Sequence, residues 1–219
     1  METILSRISL KELLDQPVMI DANILMVGIE DRVTNPDYSF ERMRDMYMIP
    51  LLTSFKRILI HEEVYNELDV DSKKLIDAYK GKSVTIVKEG DLYGKDPCYT
   101  HIFNSISNND IVKYQRPKSK NRGEVYSLAY ASYFNVNYIC SKDFMVEKAC
   151  SSISELSSIA VVTFDIIILL SALYHLSKDE KEFCKGLRSI YKRHCEDVIK
   201  RHHLPKTLKE FLTECECYI

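Results

Sequence analysis

The stretch Val18-Met19-Ile20-Asp21-Ala22-Asn23-Ile24-Leu25 is apolar except for one acid and one amide. Such a run reads as a buried parallel strand that ends at Asp21 and turns at once into a helix. Ligands of open α/β sheets sit just outside the carboxyl ends of the strands, so a carboxylate placed there points into the expected site. The competing reading of Asp21 is plainer, an acid that only caps the helix after it.

The rest of the chain repeats this grammar. Arg57 to Ile60 forms a second β-rich run, and Ser83 to Lys88 a third, whose alternating polar and apolar residues suit a sheet edge. Asn137 to Cys140 and Ala160 to Phe164 supply two more. Helical spacing fills the intervals: Ser39 to Phe55, kinked or restarted by Pro50; His61 onward; Lys73 to Lys82, ending near Gly81; Pro97 to Ser105; and a helix from Arg122. Leu5 to Leu14 suits a short helix or an extended lead-in. Alternating strands and helices imply a three-layer α/β/α sandwich with a mainly parallel central sheet. From Lys178 the pattern changes to amphipathic helix without strands, with Phe183, Leu187, Ile190 and Tyr191 as one apolar stripe. The expected division is therefore a domain over 1–175 and a helical extension over 176–219.

Composition narrows the class. With 219 residues and 46% hydrophobic content the chain can bury a full core. Lys+Arg 30 against Asp+Glu 32 leaves a net charge of -2, so a nucleic-acid partner would have to be held by a local patch rather than a global field. None of the seven cysteines forms a Cys-x-x-Cys pair and Met1-Glu2-Thr3-Ile4 lacks a signal-peptide layout, so reduced thiols and a cytoplasmic location are expected. The most apolar window, Ile159 to Leu176, is shorter than the roughly 20 residues of a bilayer span and contains Asp165, so no membrane partner is expected.

A local basic patch does exist. Lys113, Arg116, Lys118, Lys120 and Arg122 crowd a proline-broken segment leading into Gly123-Glu124. Beside an acidic cleft, such cations suit a polyanion whose phosphates must be drawn towards negative charge; alone, they would be a solvated loop. His194, Cys195, His202, His203, Cys215 and Cys217 match no standard zinc-ligand spacing.

Four acids fall at equivalent places. Asp21 and Asp143 stand at strand ends, while Glu67 and Glu124 stand early in helices; Glu62 and Glu63 suit the helix N-terminus after the second strand, and all three acids of that helix could equally be solvated. Converging carboxylates repel unless some stay protonated or a divalent cation joins them. All-oxygen ligands suit Mg²⁺ or Mn²⁺ better than zinc. The chemistry such a site supports is in-line attack of an activated water on a phosphodiester.

On these residues the sequence resembles the PIN-domain nucleases over roughly residues 16 to 175. Asp21 in Ile-Asp-Ala-Asn is similar to the family's first acid, Glu67 in Val-Tyr-Asn-Glu-Leu to its second, Glu124 in Arg-Gly-Glu to its third and Asp143 in Cys-Ser-Lys-Asp to its fourth. The resemblance implies a metal-dependent endoribonuclease acting on single-stranded RNA, commonly a toxin restrained by an antitoxin or an RNA-processing or defence enzyme, and often a homodimer. Asn23 and Ser141 would orient ligands or water from behind the four acids. Many members carry a further acid soon after the fourth; here Met145 follows, leaving Glu147 as the substitute.

Other classes fit less well. A haloacid-dehalogenase-like phosphatase needs an acid where Asn23 stands, and a dinucleotide-binding enzyme needs a Gly-x-Gly-x-x-Gly that a chain with 6 glycines lacks after its first strand. A PIN-like module that binds RNA or a protein without cutting is the alternative from outside the enzymes.

Overall fold

A computed structural model of the chain describes residues 4–6, 8–29, 38–112 and 121–215. The first half runs α1 (Leu10–Asp15), β1 (Pro17–Ile20), α2 (Ala22–Leu25), α3 (Phe40–Met43), a π-helical stretch (Arg44–Met48), α4 (Ile49–Ser54), β2 (Arg57–His61), α5 (Glu62–Glu67), α6 (Val70–Tyr79) and β3 (Val84–Val87). The second half runs α7 (Pro97–Ser107), α8 (Arg122–Tyr133), β4 (Tyr138–Cys140), α9 (Phe144–Ser152), β5 (Ala160–Val162), α10 (Phe164–Ser177), α11 (Lys181–His194), α12 (Glu196–His202) and α13 (Leu208–Cys215).

Contacts divide the chain into two compact units, one comprising 17–26 and 57–161 and the other 1–16, 27–56 and 162–219. The first unit carries the sheet, whose strand order among the described residues is β3-β2-β1-β4-β5. β1 pairs in parallel with β2 on one side and β4 on the other, Val18 lying level with Ile58 and Tyr138. β3 is an edge strand, as its alternating sequence predicts. Consecutive residues of a strand face opposite sides of the sheet, and Val18, Met19 and Ile20 are all fully buried, so both faces are covered. The chain is thus α/β with a parallel central sheet in the α/β/α class, followed by further helices. On one face Met19, Val87 and Ile139 share a single core with Tyr99 and Ile106 of α7, Val125 and Leu128 of α8, and Val146 of α9.

Local chemistry accounts for several boundaries. Pro97 opens α7 because its missing N–H is not needed in a first turn, and Asp96 caps that turn by accepting from the Tyr99 amide at 2.8 Å. α6 ends at Tyr79, and Gly81 beyond its C-cap takes φ +77°, the left-handed closure a glycine allows. Leu5 to Leu14 resolves into α1, closed at its start by a capping box between Ser9 and Glu12. The helix after Asp21 is short and stops at Leu25.

In the helical unit, the boundary expected between 175 and 176 falls inside α10. The reason is that Phe164 to Leu170 is buried all the way round, so this helix needs cover on every side and gathers α4 and α11 against it. Pro50 does not break the helix it interrupts. It cannot donate to the Met46 carbonyl four residues earlier, and the backbone passes through the π-helical stretch instead. Buried His175 of α10 supplies the missing donor, its Nε2 lying 2.8 Å from the Met46 oxygen, while Nδ1 faces Glu180 at 2.6 Å and the ring stacks on Phe183. Among the described residues no helix is long and apolar enough to cross a membrane.

Replacing His175 with Leu keeps an apolar body but removes that donor. Its expected cost is about 1–3 kcal/mol in urea denaturation, from a buried carbonyl losing its partner, whereas Val70→Ala, 67% exposed, should change stability by less than about 0.5 kcal/mol.

Candidate functional site

β1, β2 and β3 are laid down in one direction across the sheet, after which the chain crosses back to place β4 on the other side of β1. The reversal lies between the carboxyl ends of β1 and β4, the position at which open α/β sheets bind ligands. Asp21 follows β1, and Ser141, Lys142 and Asp143 follow β4.

Asp21 is 2% exposed and makes no capping bond to the first turn of α2 across which an N-cap would reach. Its Oδ2 instead accepts from Ser141 Oγ at 2.8 Å and from Asn23 Nδ2 at 2.7 Å. Asn23 also accepts from the Lys142 amide at 3.0 Å, and Ser141 Oγ accepts from the Asp143 amide at 3.1 Å. Ser141 and Asn23 thus stitch the two strand ends together by side-chain hydrogen bonds. Asp143 combines two tasks, since its Oδ1 accepts from the Met145 amide at 2.8 Å and caps α9.

Glu67 and Glu124 come from α5 and α8, which pack on each other. Glu67 is the last residue of α5, where a carboxylate meets the negative end of its own helix. Its Oε1 accepts from the Gly123 amide at 3.2 Å, a donor at the positive end of α8. Glu67 keeps an exposed surface, yet its carboxylate is turned towards α8. Gly123 makes the approach feasible: a Cβ there would stand 3.0 Å from Glu67 Oε1 and 3.0 Å from Val64 Cγ2. The glycine in Arg-Gly-Glu is thus a spacer whose lack of a side chain brings the next residue, Glu124, up to Glu67.

The electrostatics join all four acids. Burial, then the charge of Glu124, then that of Glu67, push the Asp21 carboxyl up to about 8, against the opposing effect of the Ser141 hydroxyl and the Ala22 amide. Burial and Glu124 raise Glu67, which the Gly123 amide and Arg122 partly offset. Burial raises Glu124, and Asp143 adds to it. Among the described residues, no three of His, Cys, Asp and Glu are gathered closely enough to hold a metal ion as they stand. The donor set nonetheless fits a hard divalent cation, because it is all oxygen and its members repel one another.

Contacts that the sequence did not reveal support this arrangement, made by Glu63, Arg122 and His61. Glu63 bonds Arg122 at 2.7 Å, bridging α5 and α8, and Arg122 also lies over the Tyr126 ring at 5.5 Å from its centroid. His61 caps α5 by accepting from the Glu63 amide at 3.1 Å, which leaves Nε2 to donate to Glu89 at 2.8 Å. Its ring stacks on Tyr126. A histidine at a strand end followed by a helix with two early acids was the available signal for that cap. Glu62 is exposed, and Glu147 lies in the first turn of α9, where burial first and then its charge raise the Cys150 thiol. Lys113, Arg116, Lys118 and Lys120 lie outside the described residues.

Comparison with family models, with curated proteins and with solved structures finds no match for this chain.

Two outcomes follow. A carboxyl whose folded pKa is raised holds its proton where the unfolded chain has lost it, so folding stability declines as pH rises from about 4 to about 8. For Asp21 the decline approaches about 1.4 kcal/mol per pH unit at its steepest. Urea melts in EDTA at pH 4.5, 6 and 8 should show it, and Asp21→Asn should flatten it. Gly123→Ala should cost about 1–3 kcal/mol in the same assay by crowding Val64 and Glu67.

Proposed function

We propose that this chain is a divalent-metal-dependent ribonuclease of the PIN-like kind, hydrolysing phosphodiester bonds of single-stranded RNA. The observation that carries the reading is a fully buried Asp21 carboxylate, spared from capping and oriented by Ser141 and Asn23, in electrostatic contact with Glu67 and Glu124. Negative charge concentrated at a sheet's switch point, with its members raising one another's pKa, opposes folding and is retained for what it binds.

Asp21, Glu67, Glu124 and Asp143 would hold Mg²⁺ or Mn²⁺. Bound there, the cation supplies charge neutralisation for the phosphate and an activated water. The chain's own part is orientation. Ser141 and Asn23 both engage Oδ2 of Asp21, which sets the plane of that carboxylate, and the Glu63–Arg122 pair holds α5 against α8 so that Glu67 and Glu124 stay together. Arg122, tied to Glu63, keeps a cation beside the acids for the RNA backbone. The looseness of the acids as they stand favours a second reading, a PIN-like module that binds RNA or a protein without cutting.

The deciding experiment is cleavage of labelled single-stranded RNA and DNA with Mn²⁺, Mg²⁺ or EDTA, by the wild type and by Asp21→Asn. Cleavage of RNA that needs metal and falls at least ~100-fold in the variant is the expected result. Mg²⁺ at a hundred times its Kd should also stabilise the wild type by about 2.7 kcal/mol and leave Asp21→Asn unmoved. RNA binding with neither cleavage nor metal uptake would establish the non-cutting module.

A further inference from the structure

The helical unit holds a pocket of its own. It measures about 230 Å³ and is lined by Tyr38, by Arg42 of α3, by Met46 of the π-helical stretch and by Lys185, Gly186 and Ser189 of α11. One wall is fixed by packing. The Met46 carbonyl is held by His175 at 2.8 Å, and a Cβ at Gly186 would stand 2.6 Å from Met46 Cε and 2.8 Å from its sulfur. Glycine is a poor helix former, and that close approach explains its place inside α11. The same Cβ would lie 3.8 Å from Arg42 Nη2, so the guanidinium stands over the bare backbone of α11.

The polar side chains around this space can all donate hydrogen bonds: a guanidinium, an ammonium and two hydroxyls. Among the described residues no acid lines the pocket. Asp45, on the π-helical stretch, is taken by Arg44 at 2.7 and 3.0 Å, and Glu180, which precedes α11, by His175 at 2.6 Å. Lys185 and Ser189 are exposed, one turn apart on α11, and among the described residues Lys185 has no ion pair. Tyr38 is 2% exposed, and its hydroxyl is buried with no hydrogen-bond partner among the described residues. Its ring is held by Arg193 over one face, 5.3 Å from the centroid, and by His194 edge-on at 5.6 Å. A buried hydroxyl without an acceptor opposes folding, and a ligand that brings an acceptor removes the conflict.

We propose that this pocket binds a dianionic phosphate, free or as the monoester of a small molecule. A guanidinium and an ammonium match two negative charges, and four donor side chains suit the several terminal oxygens of a phosphate, whereas a carboxylate offers two oxygens in one plane. Sites that enclose whole drug-sized ligands run to about 300–1,000 Å³, so a smaller pocket suits the phosphoryl head and little of what carries it. The proposal is independent of the reading of the carboxylate site.

The test is calorimetry on the full chain in EDTA with ribose 5-phosphate, inorganic phosphate and acetate, with thermal melting alongside. Saturable binding of phosphate, with acetate at least ~10-fold weaker, is the expected result. Lys185→Gln should weaken phosphate binding roughly 10- to 150-fold, and Ser189→Ala and Tyr38→Phe roughly 2- to 10-fold, while Lys209→Gln, exposed on α13, leaves it unchanged. None of these variants should lower the melting temperature of the unliganded protein, because Lys185 and Ser189 are exposed and Tyr38→Phe deletes a hydroxyl that has no partner. Equal affinity for the two phosphates would identify the free ion as the occupant, and tighter binding of ribose 5-phosphate an organic monoester; either supports the pocket. Binding of neither phosphate, acetate binding as tightly as phosphate, or unchanged affinity in both Lys185→Gln and Tyr38→Phe would overturn it. Weaker single-stranded RNA binding by Lys185→Gln, when neither phosphate binds, would assign the cation to a nucleic-acid backbone and reject the small-molecule pocket.

Discussion

The site depends on a carboxyl that the fold buries among other acids. Asp21 ends the central strand, is shielded from water and has acids as its nearest charged influences. Two neutral donors, Ser141 and Asn23, meet one of its oxygens. A hydrogen bond from a hydroxyl or amide recovers part of the desolvation cost of an acid but cannot balance its charge. The raised pKa is the result.

Everything around Asp21 serves to keep other acids near it in spite of repulsion. α5 and α8 are held together by the Glu63–Arg122 ion pair and by apolar burial, and Gly123 removes the one side chain that would separate Glu67 from α8. The Gly123 amide then gives Glu67 a donor at a helix N-terminus. His61, stacked on Tyr126 and bonded to Glu89, closes the start of α5. The core that fixes these helices, built from Met19, Ile139 and Val125 among others, is apolar throughout, so folding energy comes from the sheet's face and is opposed at its edge.

The helical unit shows the same division between local signal and distant partner. Of the apolar stripe, Leu187, Ile190 and Tyr191 are buried as the spacing implies and Phe183 is half-buried, while Phe164 to Leu170 of α10 is buried on every side. Pro50 was readable as a disturbance of its helix, but not as a π-helical passage whose Met46 carbonyl is met by His175, 129 positions beyond Met46.

The sequence by itself determined where the strands lie and that Asp21 and Asp143 stand at strand ends, whereas Glu67, read as early in its helix, is the last residue of α5. Those features depend on periodicity, on β-rich apolar runs, and on residues such as Pro97 and Gly81 whose backbone preferences act locally. It also determined the class of fold, since buried strands alternating with helices leave few other packings. Only the tertiary structure decided that Asp21 makes no side-chain cap on its helix and takes Ser141, 120 residues later, as a partner, that Asp143 both caps α9 and acts on the charge of Glu124, and that Gly123 is a spacer for Glu67 across 56 residues. The physical reason is that a side chain's partners follow from strand order and register. Neighbours in the sheet, β1 and β4, are far apart in the chain, and no local preference records which strand ends will meet.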